Sequence, residues 1–539
     1  MSSADRIVAD RPIRRRAALG SAIGGAAFII MLGNLTSSVL GYVRQAVMAA
    51  VFGANHATDA FVAASVVPQM FYDLAIGAAV GAALIPTFTA ILERESREEL
   101  WQTLGAVIGL VWLVLATLVV IIALAAQPVM NLLLIGYSAH LSPGQAALAP
   151  GILRILIVTL FFLGTSAVLQ ATLITLRRFV ATAFASAFYH LGIIVAAVTL
   201  AGRFGIVALP IGAVCGAAAQ VLFQIPSLFR QGLKFRPRLS FTPEVRRIIR
   251  LYLPVAAGLI VSIVGQIIDI IFKSELKGGT ITEMLFATTL TQFPIGIGVA
   301  ALSLAIMPSL SADAHAGRLD EFKDTLAAGL KFVVFLTVPA AVGYFVLSQP
   351  IVMLLYHHGH MNPVEARGVS TALLGYAIQI PFVGIDQLLI FAFYARGNTI
   401  TPMLVGVAGV CVYIVAALAL ISPFGILGLA LANTIQNSAH ALVLLGLLLT
   451  ALGVLSHRGV WTSLARTAVA AIAMAAGALG SYQLARAVAG GTALGDRLID
   501  VALPVAIGGA IYLGTAFALR SDEVQVLRGV TGRISARGA

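Results

Sequence analysis

The sequence predicts an all-α polytopic membrane protein of about fourteen transmembrane helices, arranged as two pseudo-symmetric six-helix lobes plus two C-terminal helices. Three observations predict it. Of 539 residues, 60% are hydrophobic and 10% are charged, whereas a soluble domain carries about 25% charged residues. Apolar runs of roughly 20–30 residues recur along the chain, each long enough to cross ~30 Å of hydrocarbon. Short motifs recur about 220 residues apart. A transmembrane barrel would instead show ~10-residue segments of alternating polarity.

Taken in order, the spans fall at roughly 27–51, 60–92, 104–135, 147–175, 179–200, 205–230, 246–276, 280–312, 324–356, 364–395, 400–421, 424–452, 462–488 and 498–519. Several exceed the bilayer thickness, so tilting or kinking is expected. Pro68, Pro86, Pro294, Pro308 and Pro381 are the expected kink points, because a proline removes a backbone donor whose lost partner a bundle can replace. The predicted organisation is a basic cytoplasmic N-terminus (1–26), an N-lobe of spans 1–6 (27–230) and a basic cytoplasmic linker (231–245). A C-lobe of spans 7–12 (246–452), spans 13–14 (462–519) and a cytoplasmic tail (520–539) follow.

The net charge of +12 does not imply nucleic acid, because the charges sit in short loops between apolar runs, where they set orientation and attract anionic lipid. With the N-terminus inside, the cytoplasmic segments hold most of the arginines and lysines, among them Arg14, Arg15, Arg16, Arg177, Arg178, Arg246, Arg247 and Arg250. The outer loops hold only Arg203, Lys277, Arg367, Arg486 and Arg497. This asymmetry predicts both termini in the cytoplasm. The first apolar run is too long for a cleavable signal. Two cysteines, Cys215 and Cys411, lie inside apolar runs and form no disulfide framework or metal-ligand spacing.

The repeat is carried by several matches. Pro86 recurs as Pro308, Thr103-Leu104 as Thr325-Leu326 and Gln127-Pro128 as Gln349-Pro350, all at an offset of 222. Arg177 pairs with Arg396 at 219, and Phe204-Gly205-Ile206 with Phe424-Gly425-Ile426 at 220. Two like-oriented six-span units follow, related by an axis along the membrane normal, with a substrate site expected between them. Spans 13 and 14 lie outside the repeat.

Ionisable residues inside spans are costly and usually functional. Arg44 is read as a phosphate contact in a central cavity, since a guanidinium fork matches phosphate oxygens, or else as a snorkelling side chain or structural partner of Asp59. Asp73 is a proton or cation site, or a protonated acid packed between helices. Asp269 and Lys273, four apart on one helix face, read as an ion pair, with Glu275 nearby. Asp386, near Gln379, Pro381, Gly384 and Gln387, lies in an interrupted polar helix of the kind that lines a cavity. Arg154 is a further charged residue of the spans. His357-His358-Gly359-His360 reads as a solvated loop rather than a metal site, since no carboxylate or thiolate cluster accompanies it. No nucleophile–base constellation supports an enzyme, and no cofactor is expected.

Over Ser38–Glu95 the sequence resembles the MurJ/MviN family, the lipid II flippases of the multidrug/oligosaccharidyl-lipid/polysaccharide exporter superfamily. The residues that carry the resemblance are Val39-Leu40-Gly41-Tyr42-Val43-Arg44, Phe52-Gly53-Ala54, Thr58-Asp59-Ala60-Phe61, Pro68 and Ile85-Pro86. Further blocks are Gln292-Phe293-Pro294, Met307-Pro308-Ser309-Leu310-Ser311, Leu354-Leu355 with Gly359, and Phe393-Tyr394-Ala395-Arg396-Gly397-Asn398 with Thr401-Pro402. The resemblance implies a V-shaped pair of lobes with a cationic central cavity, fourteen spans, and a lipid-tail groove on the last two. Arg44 matches one cavity arginine and Asp59 the family acid. Where the family has further functional residues, this chain has Ser38, Tyr72, Gly77 and Thr289, and span 11 lacks the acid of the family's sodium site.

The implied function is translocation of a polyprenyl-diphosphate-linked peptidoglycan precursor, lipid II, from the inner to the outer leaflet of a bacterial plasma membrane. Alternating access by two rocking lobes, coupled to membrane potential or a cation gradient, is the implied mechanism. Arg44, Asp59, Asp73, Asp269, Lys273 and Asp386 are the expected substrate-binding residues. Membrane lipids and cell-wall synthesis proteins are the expected partners, and nucleic acid is not. The alternatives are a flippase for another lipid-linked glycan, a transport-inactive envelope scaffold, and a gradient-driven exporter of small cations.

Overall fold

Across its described residues the chain alternates helix with short turns. The computed structural model describes residues 29–524 apart from 78–79, 95, 138–142, 235, 454–458, 490 and 492. The N-terminus expected over 1–26 and the tail beyond residue 524 lie outside the described residues. Among the described residues every regular element is helical. Among the described residues eight helices are long and apolar enough to cross a membrane, and a ninth span is made if the bent pair Pro363–Ala377 and Ile380–Ala395 counts as one.

The described chain divides into two compact units, with the division at Val264/Gly265; Gly53–Asn55 belong to the second unit and the residues around them to the first. The first unit begins with α1 (Ile29–Phe52) and α2 (His56–Tyr72). Two π-helical segments, Asp73–Gly77 and Val80–Leu84, lead into α3 (Ile85–Arg94). Next come α4 (Arg97–Leu124), α5 (Ala126–Leu133), α6 (Pro143–Leu156), α7 (Val158–Thr175), α8 (Phe179–Ala183), α9 (Ala185–Phe204) and α10 (Ala208–Phe229). Ser96 caps α4, its hydroxyl accepting from the Glu99 amide, which satisfies one orphan donor of the first turn. Leu100, Leu104 and Ile108, one turn apart on α4, are buried with Phe88 of α3 and Val168 and Leu173 of α7. Leu113, Val120, Ile121 and Leu124 of the same helix are exposed. A helix apolar on all sides fits hydrocarbon solvent, where packing rather than burial from water drives association.

Close packing of α9 on α10 rests on absent side chains. A Cβ on Gly192 would stand 2.5 Å from the Gly216 Cα, and one on Gly212 would stand 2.6 Å from the Gly192 carbonyl oxygen. Gly212 and Gly216 form the four-residue small-residue spacing that lets membrane helices approach backbone to backbone.

α11 (Pro243–Ser274) carries the chain from the first unit into the second. The second unit continues with α12 (Thr280–Pro294), a π-helical segment Ile295–Val299, α13 (Ala300–His315), α14 (Leu319–Leu355), α15 (Pro363–Ala377) and α16 (Ile380–Ala395). α17 (Ile400–Leu452), α18 (Val460–Ala489) and α19 (Leu494–Ala518) complete it. α18 and α19 pack on α14: Phe335, Ala470, Met474, Tyr512 and Ala516 are buried together, and Tyr512 OH donates to the Phe335 carbonyl at 2.6 Å.

The sequence repeat extends to backbone irregularities that no motif match contained. The π-helical segment Asp73–Gly77 has its counterpart in Ile295–Val299, at an offset of 222. Ala125, with φ −85° and ψ 8°, separates α4 from α5, and Leu347, at the same offset, is the non-helical kink inside α14, with φ −108° and ψ 20°. Pro128 and Pro350 stand three residues further on, so each ring meets the carbonyl just before the kink and displaces it from the helical ladder. These two prolines were not among the expected kink points.

The glycine pair is equally conspicuous. Gly205 has φ 53° and ψ −138°, and Gly425 has φ 53° and ψ −125°, a region that L residues avoid. Each glycine turns one long helical stretch into two, breaking Phe179–Phe229 and Ile400–Leu452. One motif pairing shifts. Arg177 has φ 56° and Gly397 has φ 73°, so their equivalence is at offset 220 rather than Arg177 with Arg396 at 219. The helix ends agree: Arg178 N donates to Leu173 O, and Asn398 N to Phe393 O.

Gly425→Ala and Gly205→Ala are each expected to cost about 1–3 kcal/mol through backbone strain. Gly446 is helical with no atom within 4 Å of an added Cβ, so Gly446→Ala should be neutral or mildly stabilising. Thermal unfolding of the three purified variants in detergent measures the difference; equal midpoints would contradict the assigned strain.

Candidate functional site

Each unit places ionisable side chains within its helices, and the partners differ. In the first unit, α1 turns one face to α8 and α9. A Cβ on Gly33 would overlap the Ala183 backbone, and one on Gly41 would stand 3.7 Å from the His190 ring. Arg44 lies one turn further along that face, half-buried, with Tyr189 and His190 of α9 within electrostatic reach. Ile30, Met31, Leu35, Val39 and Val43 are exposed. Arg44 therefore points into the unit and not toward lipid. Among the described residues it forms no ion pair.

Asp59 is fully buried, and its Oδ2 accepts from Tyr137 OH at 2.5 Å. The same tyrosine packs edge-on against His56 at 5.1 Å. The structural pairing of Arg44 with Asp59 that the sequence left open is thus not formed. Asp59 sits in the first turn of α2, where the helix dipole favours an anion. Asp73 begins the first π-helical segment, and its Oδ1 accepts from Gln69 Nε2 at 2.9 Å. π-bulges concentrate at functional sites, and the equivalent position in the second unit is the apolar Ile295. Arg154 donates to the Ala123 carbonyl at 3.3 Å and is exposed.

In the second unit the expected ion pair forms. Lys273 Nζ lies 2.5 Å from Asp269 Oδ2. A partner that spacing could not reveal completes it: Tyr413 OH, on α17, donates to Asp269 Oδ1 at 2.7 Å. Both carboxylate oxygens are thereby engaged. Asp386 on α16 is joined to His440 Nδ1 of α17 at 2.6 Å. Beside them, Asn437 Nδ2 donates to Gln379 Oε1 at 2.7 Å and to Asn433 Oδ1 at 3.1 Å. His440 and Asn437 carry no sequence signal of their own. They are 54 and 58 residues from their partners, and only the packing of α17 on α15 and α16 brings them there.

A buried acid that the sequence reading passed over is Glu283, fully buried in the first turn of α12 and bonded to Lys277 at 2.9 Å. Like Asp59 in α2, it is the fourth residue of its helix. The histidine loop engages backbone: His358 Nε2 lies 2.7 Å from the Leu354 carbonyl oxygen, and the His357 carbonyl accepts from Arg497 Nη1 at 2.6 Å. Among the described residues no cluster of three metal-ligating side chains exists. A shallow apolar groove of about 430 Å³ lies where α14, α15 and α18 meet, lined by Val338, Phe345, Ile378, Ala471 and Ile472 among others.

Repeated helical units, glycine-broken double spans and polar groups held inside apolar helices define a class: polytopic helical membrane transporters. Solved structures with this fold include one titled lipid II flippase MurJ in an inward closed conformation, with TM-score 0.74 and 22% identity, covering 92% of this chain and 99% of that one. A multidrug transporter of the MATE family in an inward-facing conformation aligns with TM-score 0.64 and 15% identity, over 78% and 96% of the two chains. The model of the family described as lipid II flippase MurJ matches residues 48–490, and the chain belongs to that family. Among curated relatives, a probable lipid II flippase MurJ of Vibrio cholerae is 30% identical, over 83% of this chain and 86% of its own. One of Rhizobium meliloti is 27% identical, over 92% and 94%.

Asp269→Asn is expected to cost about 1–3 kcal/mol, because it strands a part-buried ammonium and a phenol. Adding Lys273→Met should restore much of the loss, since an apolar replacement leaves no uncompensated charge. A double-mutant cycle on thermal unfolding checks this, and strictly additive losses would show the pair to be uncoupled.

Proposed function

We infer that this protein is a flippase that moves lipid II across the bacterial plasma membrane for peptidoglycan synthesis, and that it makes and breaks no covalent bond in doing so. Family membership over residues 48–490 supports the reading most strongly. Within the chain, the supporting observation is Arg44: a half-buried guanidinium inside an apolar helix, with no carboxylate neutralising it among the described residues. A guanidinium held that way is costly, and a cargo diphosphate offsets the cost through a bidentate, charge-assisted contact.

The remaining ionisable residues divide by how well they are satisfied. Asp59 and the Asp269–Lys273–Tyr413 triad are engaged by their own unit, which suits them to hold helices rather than cargo. Asp73, on a π-bulge and bonded to the neutral Gln69, is better placed to respond to a bound head group. The groove between α14, α15 and α18, apolar along its length, suits a polyprenyl chain. Alternating exposure of the head-group site to the two faces of the membrane, with both termini in the cytoplasm, completes the proposal. Membrane potential is a sufficient drive, since one charge crossing 100 mV gains about 2.3 kcal/mol.

Arg44→Ala should abolish lipid II translocation in proteoliposomes while the protein folds and inserts normally, and Arg44→Lys should retain part of it. Failure of the wild-type chain to restore growth to cells depleted of their own lipid II flippase would remove the cargo assignment. Full activity of Arg44→Ala would remove only the role given to this residue.

A further inference from the structure

Within the first unit an apolar groove of about 360 Å³ lies between α4 and the first turns of α11, a volume in the range of ligand sites. α11 contributes Val245, Ile248, Ile249, Tyr252 and Leu253, an i, i+3, i+4, i+7, i+8 stripe that forms one helix face. α4 contributes Val111 and Val114 among others, and Phe241 of the linker is part of the wall. Phe241 and Leu253 are 69% and 61% exposed, so the described chain leaves the groove open.

Cations gather at the end of the groove nearest the starts of both helices. Arg246 and Arg250 are one turn apart on α11, and each stands three residues before a groove residue, Ile249 and Leu253, so they border the stripe. The linker is laid along α4. A Cβ on Gly105 would stand 2.4 Å from the Arg236 carbonyl oxygen, and one on Gly109 would stand 2.4 Å from that of Arg238. Arg238 N donates to the Gly105 carbonyl at 3.1 Å, and its guanidinium reaches Gln102 Oε1 at 3.4 Å. Bare glycine backbone thus holds Arg236 and Arg238 close to the groove. Arg236, Arg238, Arg246, Arg247 and Arg250 are all exposed, and among the described residues none of them forms an ion pair. Lys234 differs, being paired with Glu98. Glu244, the one acid in the first three turns of α11, flanks the stripe on its opposite side.

Uncompensated cations at one end and an apolar channel leading away from them match an amphiphile with an anionic head. Arginines that only oriented a helix would need neither the groove beside them nor a linker bonded in place. The order of groups with depth agrees. Tyr252 lies six residues beyond Arg246, ~9 Å along the helix axis. It brings a phenol hydroxyl into the wall where a lipid's ester oxygens follow its phosphate, and only apolar side chains line the groove around it. We propose that the groove between α4 and α11 binds an anionic phospholipid. Its phosphate meets Arg246 and Arg250, and one acyl chain lies against Val111, Val114 and Ile249. The site is distinct from the groove beside α18 and independent of what the protein carries.

Photolabelling of the full chain in phosphatidylcholine nanodiscs tests it. The nanodiscs carry a trace of phosphatidylglycerol or phosphatidylcholine with a diazirine on one acyl chain, and labelled peptides are mapped by mass spectrometry. The segments 107–115 and 245–253 should be labelled about five-fold or more strongly by phosphatidylglycerol, and salt at about 1 M should remove the preference. Arg246→Gln combined with Arg250→Gln should lower phosphatidylglycerol labelling to the phosphatidylcholine level; both side chains are exposed, so the fold does not depend on them. Val111→Trp should lower labelling by both lipids, because it fills the groove. Equal labelling by the two lipids, or a preference that survives the arginine replacements, overturns the site and leaves an ordinary lipid-facing surface. Displacement of the label by lipid II but not by unlabelled phosphatidylglycerol gives the groove to the cargo and likewise overturns it.

Discussion

A charge held in hydrocarbon must find a partner or cost several kcal/mol, and the arrangement of this protein follows from how that constraint is met. Asp59 takes Tyr137, Asp269 takes Lys273 and Tyr413, Glu283 takes Lys277, and Asp386 takes His440. Each partnership fixes which faces of two segments meet. The Asp269–Tyr413 bond sets α11 against α17, and the Asp386–His440 bond sets α16 against α17. Arg44 stands apart, because the groups within its electrostatic reach are a tyrosine and a histidine rather than an acid. The proposed anion contact rests on that imbalance.

The second organising constraint is that a backbone inside a membrane has no water to replace lost hydrogen bonds. Departures from helix are therefore placed, not scattered. They occur where a proline ring displaces a carbonyl, as before Pro128 and Pro350, or where a glycine turns the chain, as at Gly205 and Gly425. Their recurrence at offsets of 220–222 shows that the duplication governs where the helices bend as well as where motifs fall. The two units have diverged most in their ionisable residues. Asp73 opens the π-helical segment of one unit and Ile295 that of the other, so the same local distortion serves a polar site in the first and an apolar one in the second.

The last two helices obey neither repeat nor charge logic. α18 and α19 pack on α14 through alanines, Met474 and Tyr512, with hydrogen bonds from Tyr512 to the Phe335 carbonyl and from Arg497 to the Met353 carbonyl. Small residues allow close contact, and the apolar groove left beside α18 is a consequence of adding a helix pair to one side of a finished unit.

Composition and run length alone determined that this chain is a helical membrane protein, because hydrocarbon admits few other structures. Motif spacing determined that it is duplicated, and the one-turn separation of Asp269 and Lys273 determined their ion pair. Tertiary structure alone decided that Tyr413 joins that pair, that His440 meets Asp386, that Asp59 binds Tyr137 and not Arg44, and that Glu283 is buried. Each of those contacts except the last links residues 54 to 144 apart in sequence. No periodicity along one helix encodes such a meeting; it exists only once helices have chosen their neighbours and their rotation about their own axes.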